Sequence, residues 1–193
     1  MSYELSSFQF FRQCISLSVA LAGVIADYNQ QISLLSVHYI NLYAIIDSFF
    51  VKTPDMLIHH LLVISCVSVI AFYEINEAYK LNFIGQLMRF EYSSIFYSGG
   101  PIVFHYLSKN QYLVNNVKIA FHVLFAVTFI KYRIWDYSRN VVLNREIYTP
   151  ANFSTNIGFV QLILSSWGFY ALNLYWARLI LLKLIHSCKK THN

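Results

Sequence analysis

Long apolar runs, separated by short polar stretches, constrain this 193-residue chain more than any other feature. Their lengths approach or exceed the ~20 residues that an α-helix needs to cross a bilayer core. A helix satisfies its own backbone hydrogen bonds in hydrocarbon, whereas a lone strand does not. The runs therefore predict an all-α membrane protein with a bundle of about six transmembrane helices, at about 8–26, 33–51, 56–73, 82–107, 117–135 and 157–184.

Charge is too scarce for a water-soluble surface. Only 12% of residues are charged and 57% are hydrophobic, against roughly 25% charged in ordinary soluble domains. The net charge of +5 comes from scattered Lys and Arg, and these residues cluster only near the C-terminus. We interpret 185–193 as a basic cytosolic tail facing an anionic membrane surface. Nucleic-acid binding is excluded, because the aromatic residues lie inside the apolar runs and form no basic stripe with stacking rings.

The linkers carry helix signals. Thr53 is a candidate N-cap, and Pro54 and Asp55 suit the first turn, so the third helix is predicted to start there. In the fourth run, the sequence 99–101 (Gly-Gly-Pro) is expected to kink or break the helix. The longest loop, 136–155, contains a glycosylation sequon at Asn152.

Orientation follows from the distribution of Lys and Arg. The tail and Lys52 favour a cytosolic C-terminus, and an even number of spans then puts the N-terminus on the same side. Four basic residues oppose this assignment because they fall on the other side: Lys131, Arg133, Arg139 and Arg145. Cys14 and Cys66 are interpreted as packing residues, while Cys188 beside the tail is a candidate for palmitoylation.

Ionisable residues inside apolar runs are the most informative polar groups. Each costs several kcal/mol in hydrocarbon unless it is paired or faces a wet cavity. Such residues mark functional sites more often than they mark simple packing. Five of them are the most informative: Asp47, His59, His60, Arg89 and Glu91.

Helix geometry brings four of these groups together. Asp47 lies six residues before Thr53 and His59 six residues after it, so both lie about 9 Å into a helical hairpin from the same end. Adjacent helical residues point about 100° apart, so one histidine is expected to meet Asp47 and the other to meet Glu91. We therefore predict that Asp47, His59, His60 and Glu91 form one pocket with a catalytic or binding role. The alternative is that they are hydrogen-bonded contacts between helices.

Metal binding and cofactor binding are not expected. The adjacent histidines lack the i, i+4 spacing of a zinc-binding helix pair, and no glycine-rich phosphate loop is present. Other polar residues receive structural interpretations. Arg12 is expected to extend toward the headgroups, and Trp176 to anchor at the membrane interface.

Several short motifs, in order, resemble the TLC-domain family, which groups ceramide synthases, translocating-chain-associating proteins and ceroid-lipofuscinosis-type proteins. The resemblance covers about residues 10–190 and rests on Asp47, the His59-His60 pair and three segments: 91–96 (EYSSIF), 129–134 (FIKYRI) and 173–176 (NLYW). It implies a transmembrane domain of the endoplasmic reticulum acting in lipid metabolism or lipid homeostasis. Ser94 and Asn173 lie in the matched segments and are candidates for substrate binding.

Departures from the ceramide synthases favour the smaller members of that family. Val63 stands where those enzymes carry a Thr after the second histidine, and Glu91 is the only match to their His-Asp-x-x-Asp element. Three functions stay open: lipid binding or cargo handling without chemistry, acyl transfer using acyl-CoA as substrate, and proton-coupled transport. No inverted repeat supports the transporter interpretation. The expected partners are membrane lipids.

Overall fold

Helices make up almost all of the described chain. In the computed structural model of the protein, residues 5–190 are described, without the side chains of 30–34, 111 and 186–190. The side chain of Cys188 and most of the tail 185–193 therefore lie outside the described part. Seven α-helices are present in it: α1 (Ser7–Tyr28), α2 (Gln30–Ser48), α3 (Pro54–Phe72), α4 (Glu77–Arg89), α5 (Glu91–Tyr106), α6 (Gln111–Thr128) and α7 (Asn156–Lys190).

The all-α prediction is confirmed. Within the described residues, extended backbone pairs at a single isolated bridge, between Ile75 and Phe153. Four helical segments are long and apolar enough to cross a membrane: Ser7–Tyr28, Pro54–Phe72, Tyr112–Val142 and Asn156–Ile185. The fuller number of about six crossings stays a prediction.

The bundle has two distinct ends. At the first, which we call the tail end, the start of α1 meets the α2–α3 turn through the rings of Phe8 and Phe50, 5.5 Å apart. The Trp176 indole of α7 donates to Asp55 of α3 at the same end. At the opposite end, which we call the loop end, the Ser154 amide donates to the Glu74 carbonyl. The tail end therefore carries the start of α1 and the last turns of α7.

The helices form a ring. α1 packs between α2 and α5, α2 packs against α3, α3 against α7, and α5 against α6. The chain after α6 continues as π-helical segments, Phe129–Asp136 and Ser138–Val142, and these pack against α7 and close the ring. The predicted loop 136–155 is therefore too long, because helix continues to Val142 and only 143–155 connects to α7.

The fourth apolar run breaks at Phe90, and the structure shows no break at 99–101, where α5 continues. Pro101 lies inside α5. Gly100 allows close packing instead, since a Cβ there would lie 3.3 Å from the rings of Phe104 and Phe121. The break turns α4 across the loop end, where its N-cap Asn76 bonds to the 143–155 connection and its last residue, Arg89, bonds to Asp27.

The apolar core fills the half of the bundle near the loop end. Tyr137, Val141 and Phe169 are almost inaccessible to solvent and pack against Phe83 and Ile84 of α4. This cluster seals the loop end beneath α4. The open space inside the ring therefore lies on the tail-end side of this cluster.

Candidate functional site

A cavity of about 580 Å³ lies inside the ring. Its volume falls within the roughly 300–1,000 Å³ typical of sites for small organic ligands. All seven helices contribute lining residues, and the α2–α3 turn contributes Val51, Lys52 and Thr53 near the tail end. The walls are mainly apolar, with charged groups at a few positions.

The first polar cluster joins α1, α2 and α3. Arg12 holds Asp47 with two parallel hydrogen bonds, from Nε to Oδ1 at 2.6 Å and from Nη2 to Oδ2 at 2.8 Å. His60 Nε2 lies 3.6 Å from Asp47 Oδ2, and both residues are 3% exposed. The structure thus brings Asp47 and one histidine together. Arg12 does not extend to the headgroups as expected, because the buried carboxylate of Asp47 holds its guanidinium.

His59 lies beside this cluster, in an aromatic setting. Its ring centroid is 5.7 Å from that of His60, 5.5 Å from that of Phe169 and 5.2 Å from that of Trp176. The Nδ1 atoms of both histidines are buried without a hydrogen-bond partner among the described residues. The Trp176 indole donates to Asp55 in the first turn of α3 and its ring packs against His59, and its role as an interfacial anchor stays a prediction.

A second polar cluster centres on Arg133, which is only 6% exposed. Its Nε donates to Ser93 Oγ at 2.8 Å, and its Nη2 donates to Ser94 Oγ at 2.8 Å and to the Phe90 carbonyl at 3.3 Å. The guanidinium also lies over the ring of Phe90, 5.2 Å from its centroid. Arg133 is therefore a buried cavity residue and not one of the loop charges counted in the orientation argument.

Glu91 belongs to this second cluster. It hydrogen-bonds with Ser94 and is electrostatically coupled to Arg133. The expected contact with a histidine is not found among the described residues. The reason is the break at Phe90, which makes Glu91 the first residue of α5, where Arg133 supplies the nearby opposite charge. Gly23 of α1 faces it so closely that a Cβ there would lie 2.5 Å from Glu91 Cγ.

The carboxylate of Asp27 accepts hydrogen bonds from residues on both sides of Glu91. Arg89 Nε donates to Asp27 Oδ1 at 3.2 Å, and the Tyr92 hydroxyl donates to Oδ2 at 3.3 Å. Arg89 does not line the cavity. Its role is to fasten the end of α4 to α1.

The two candidate substrate-binding residues differ in position. Ser94 lines the cavity and accepts from Arg133. Asn173 is fully buried and is not a lining residue, and its Nδ2 donates to the Arg133 carbonyl at 3.4 Å. Sequence reasoning missed Arg12 and Arg133 as site residues. An arginine inside an apolar run is itself a signal of a buried polar site, and that signal applies to both.

The cavity thus presents two charged clusters, with His59 between them. In the described part of the chain, no three His, Cys, Asp or Glu side chains come together as a metal site requires. Comparison of the chain with protein-family models, curated proteins and solved structures gives no match.

Proposed function

We propose that this chain is a multi-pass membrane protein of lipid metabolism or lipid homeostasis, resident in the endoplasmic reticulum, that binds a lipid or lipid precursor in the cavity. One observation carries the proposal: charged and polar groups converge inside a mainly apolar cavity large enough for a ligand. The six helices of the ring cross the membrane in this proposal, and α4 lies at the surface. The motif resemblance to TLC-domain proteins agrees with a lipid ligand.

The unpartnered histidine nitrogens favour a polar group on that ligand. A buried polar atom without a hydrogen bond costs about 1–3 kcal/mol, and a bound hydroxyl, amide or carboxyl group would offset this cost. Arg133 adds a buried cation near His59, suited to a carbonyl or carboxylate oxygen. The apolar walls would hold the hydrocarbon part.

Acyl transfer is the second candidate, favoured by the Asp47–His60 contact. In that reaction a histidine would take the proton of an attacking amine or hydroxyl while the new bond to the acyl carbon forms. The acyl–sulfur bond of a thioester such as acyl-CoA would then break, and the thiolate would leave with the proton. Arg133 would stabilise the negative charge that develops on the acyl oxygen.

Replacing the histidines tests both functions. We expect His59→Phe and His60→Phe to weaken binding of a fluorescent fatty acid to the detergent-purified protein by about tenfold each, because each removes one buried hydrogen-bonding group. If the site is catalytic, His59→Ala or His60→Ala lowers acyl transfer to a long-chain amine or alcohol by about 10²–10⁴-fold.

His122→Phe is the matched control. His122 lies on α6, is half-buried and does not line the cavity, so binding should stay at the level of the unmodified protein. Equal binding in all three Phe variants, each with an unchanged elution profile, would refute the lipid site.

A further inference from the structure

Polar and apolar residues line different parts of the cavity. Polar groups line the wall formed by α1 and α5, where Ser16 and Ser98 hydrogen-bond at 2.7 Å, and the region around the histidines. The corner between α2, α3 and α4 is apolar instead. It is lined by Val37 and Ile40 of α2, Val63 and Val67 of α3, and Met88 of α4.

The cavity is closed at this apolar corner. Val37, Val67 and Met88 line the cavity and also belong to the core cluster that fills the loop-end half of the bundle. Each is at most 2% exposed. A guest that enters from the tail end therefore stops at these three side chains.

The distance from the histidines to this floor follows from α3. Eight residues separate His59 from Val67 on one continuous helix. At ~1.5 Å per residue the floor lies about 12 Å beyond the histidines, toward the loop end. The space is long, apolar and closed, and a hydrocarbon chain satisfies all three conditions better than a polar headgroup does.

We infer that the corner between α2, α3 and α4 receives the methyl end of a single hydrocarbon chain, and that Val67 and Met88 set the longest chain that fits. This inference rests on the proposed lipid-binding function and specifies its ligand: a single-chain acyl lipid whose polar end meets the histidines and Arg133. The protein thus selects its ligand by chain length.

A series of saturated fatty acids of increasing length, competing with a fluorescent fatty acid on the detergent-purified full chain, tests this. Each added methylene should tighten binding about fourfold until the chain reaches the floor, after which binding should weaken. Met88→Ala removes three heavy atoms from the floor and should move the optimum to longer chains by about three methylene groups. Val67→Phe should move it to shorter chains.

Two substitutions on the same helices provide matched controls. Ile84 lies one turn before Met88, and Val69 lies two residues after Val67; both are fully buried and neither lines the cavity. Ile84→Ala and Val69→Phe should therefore leave the optimum chain length unchanged. If Val67→Phe does not fold, the comparison of Met88→Ala with its control Ile84→Ala tests the chain-length floor by itself.

The possible results separate the two claims. No binding of any fatty acid would refute the proposed function and this inference together. Binding with the same optimum length in Met88→Ala as in the unmodified protein would refute the chain-length floor and leave the lipid site intact. A shift produced equally by Ile84→Ala would also overturn the inference, because it would trace the change to general loosening of the core.

Discussion

At the scale of single residues, one glycine decides how close α1 and α5 approach. A Cβ on Gly23 would lie 2.5 Å from Cγ and 2.9 Å from Cβ of Glu91. Contacts under 3 Å force the surrounding atoms to move, and Glu91 is held by its bond to Ser94. The absence of a side chain at Gly23 therefore helps to fix the second polar cluster.

We expect Gly23→Ala to destabilise the protein. Overpacking costs about 1–3 kcal/mol and outweighs the gain of up to about 1 kcal/mol from the better helix propensity of Ala. Gly85→Ala is the matched control, because nothing lies within 4 Å of a Cβ at that helical position. This control should stabilise the protein by about 0.5–1 kcal/mol. Unfolding of both variants in detergent measures the difference, and equal effects would contradict the close approach.

At the scale of helices, the joint between α4 and α5 depends on Asp27, which receives hydrogen bonds from both Arg89 and Tyr92. We expect Asp27→Asn to lower the free energy of unfolding by about 1 kcal/mol. This loss is smaller than for a fully buried ion pair, because Arg89 is partly exposed and solvent screens its charge. Amide hydrogen exchange should also speed up around 89–92. Glu77→Gln, which breaks an exposed pair with Lys80, should cost less than about 0.5 kcal/mol. Unchanged hydrogen exchange around 89–92 in Asp27→Asn would show that Asp27 does not hold the joint between α4 and α5.

Local rules predict some of these elements and miss others. The start of α3 at Pro54 follows from residues next to it in sequence, and the contact of Asp47 with His60 follows from residue spacing in one hairpin. The break at Phe90 and the partners of Arg12 and Arg133 depend on contacts between residues 35 or more positions apart. Hydrophobic periodicity contains no information about such pairs, so these features were missed.

At the scale of the whole molecule, the distribution of charge predicts an orientation in the membrane. The Lys and Arg residues at the loop end are Lys80, Arg89, Lys131, Arg139 and Arg145, whereas Arg133 is buried in the cavity and no longer opposes the assignment. Apart from Arg12, which is paired with Asp47 in the cavity, the tail end carries more basic residues: Lys52, Lys109, Lys118, Arg178, Lys183, Lys189 and Lys190. The positive-inside rule then predicts that the tail end, with both termini, faces the cytosol.

Thiol labelling in sealed microsomes tests this orientation. In a chain with Cys14 and Cys188 replaced by Ala, we expect a membrane-impermeant maleimide to label Lys52→Cys and to leave Thr149→Cys unlabelled until detergent is added. Both positions are exposed and lie at opposite ends of the bundle. Labelling of Thr149→Cys alone would show that the loop end, and not the tail end, faces the cytosol.

Glycosylation of Asn152 is a weaker test of orientation than its sequon suggests, because its side chain is half-buried and donates to the Glu146 carbonyl.

The path of α4 bears on how such a chain enters a membrane during synthesis. Both ends of α4 lie at the loop end, so this helix adds no passage from one end of the bundle to the other. The remaining helices then run as three successive hairpins, α1–α2, α3–α5 and α6–α7, each leaving the tail end and returning to it. In the proposed membrane arrangement, such a chain would insert one hairpin at a time, and each hairpin would carry only the residues between its two helices across the bilayer.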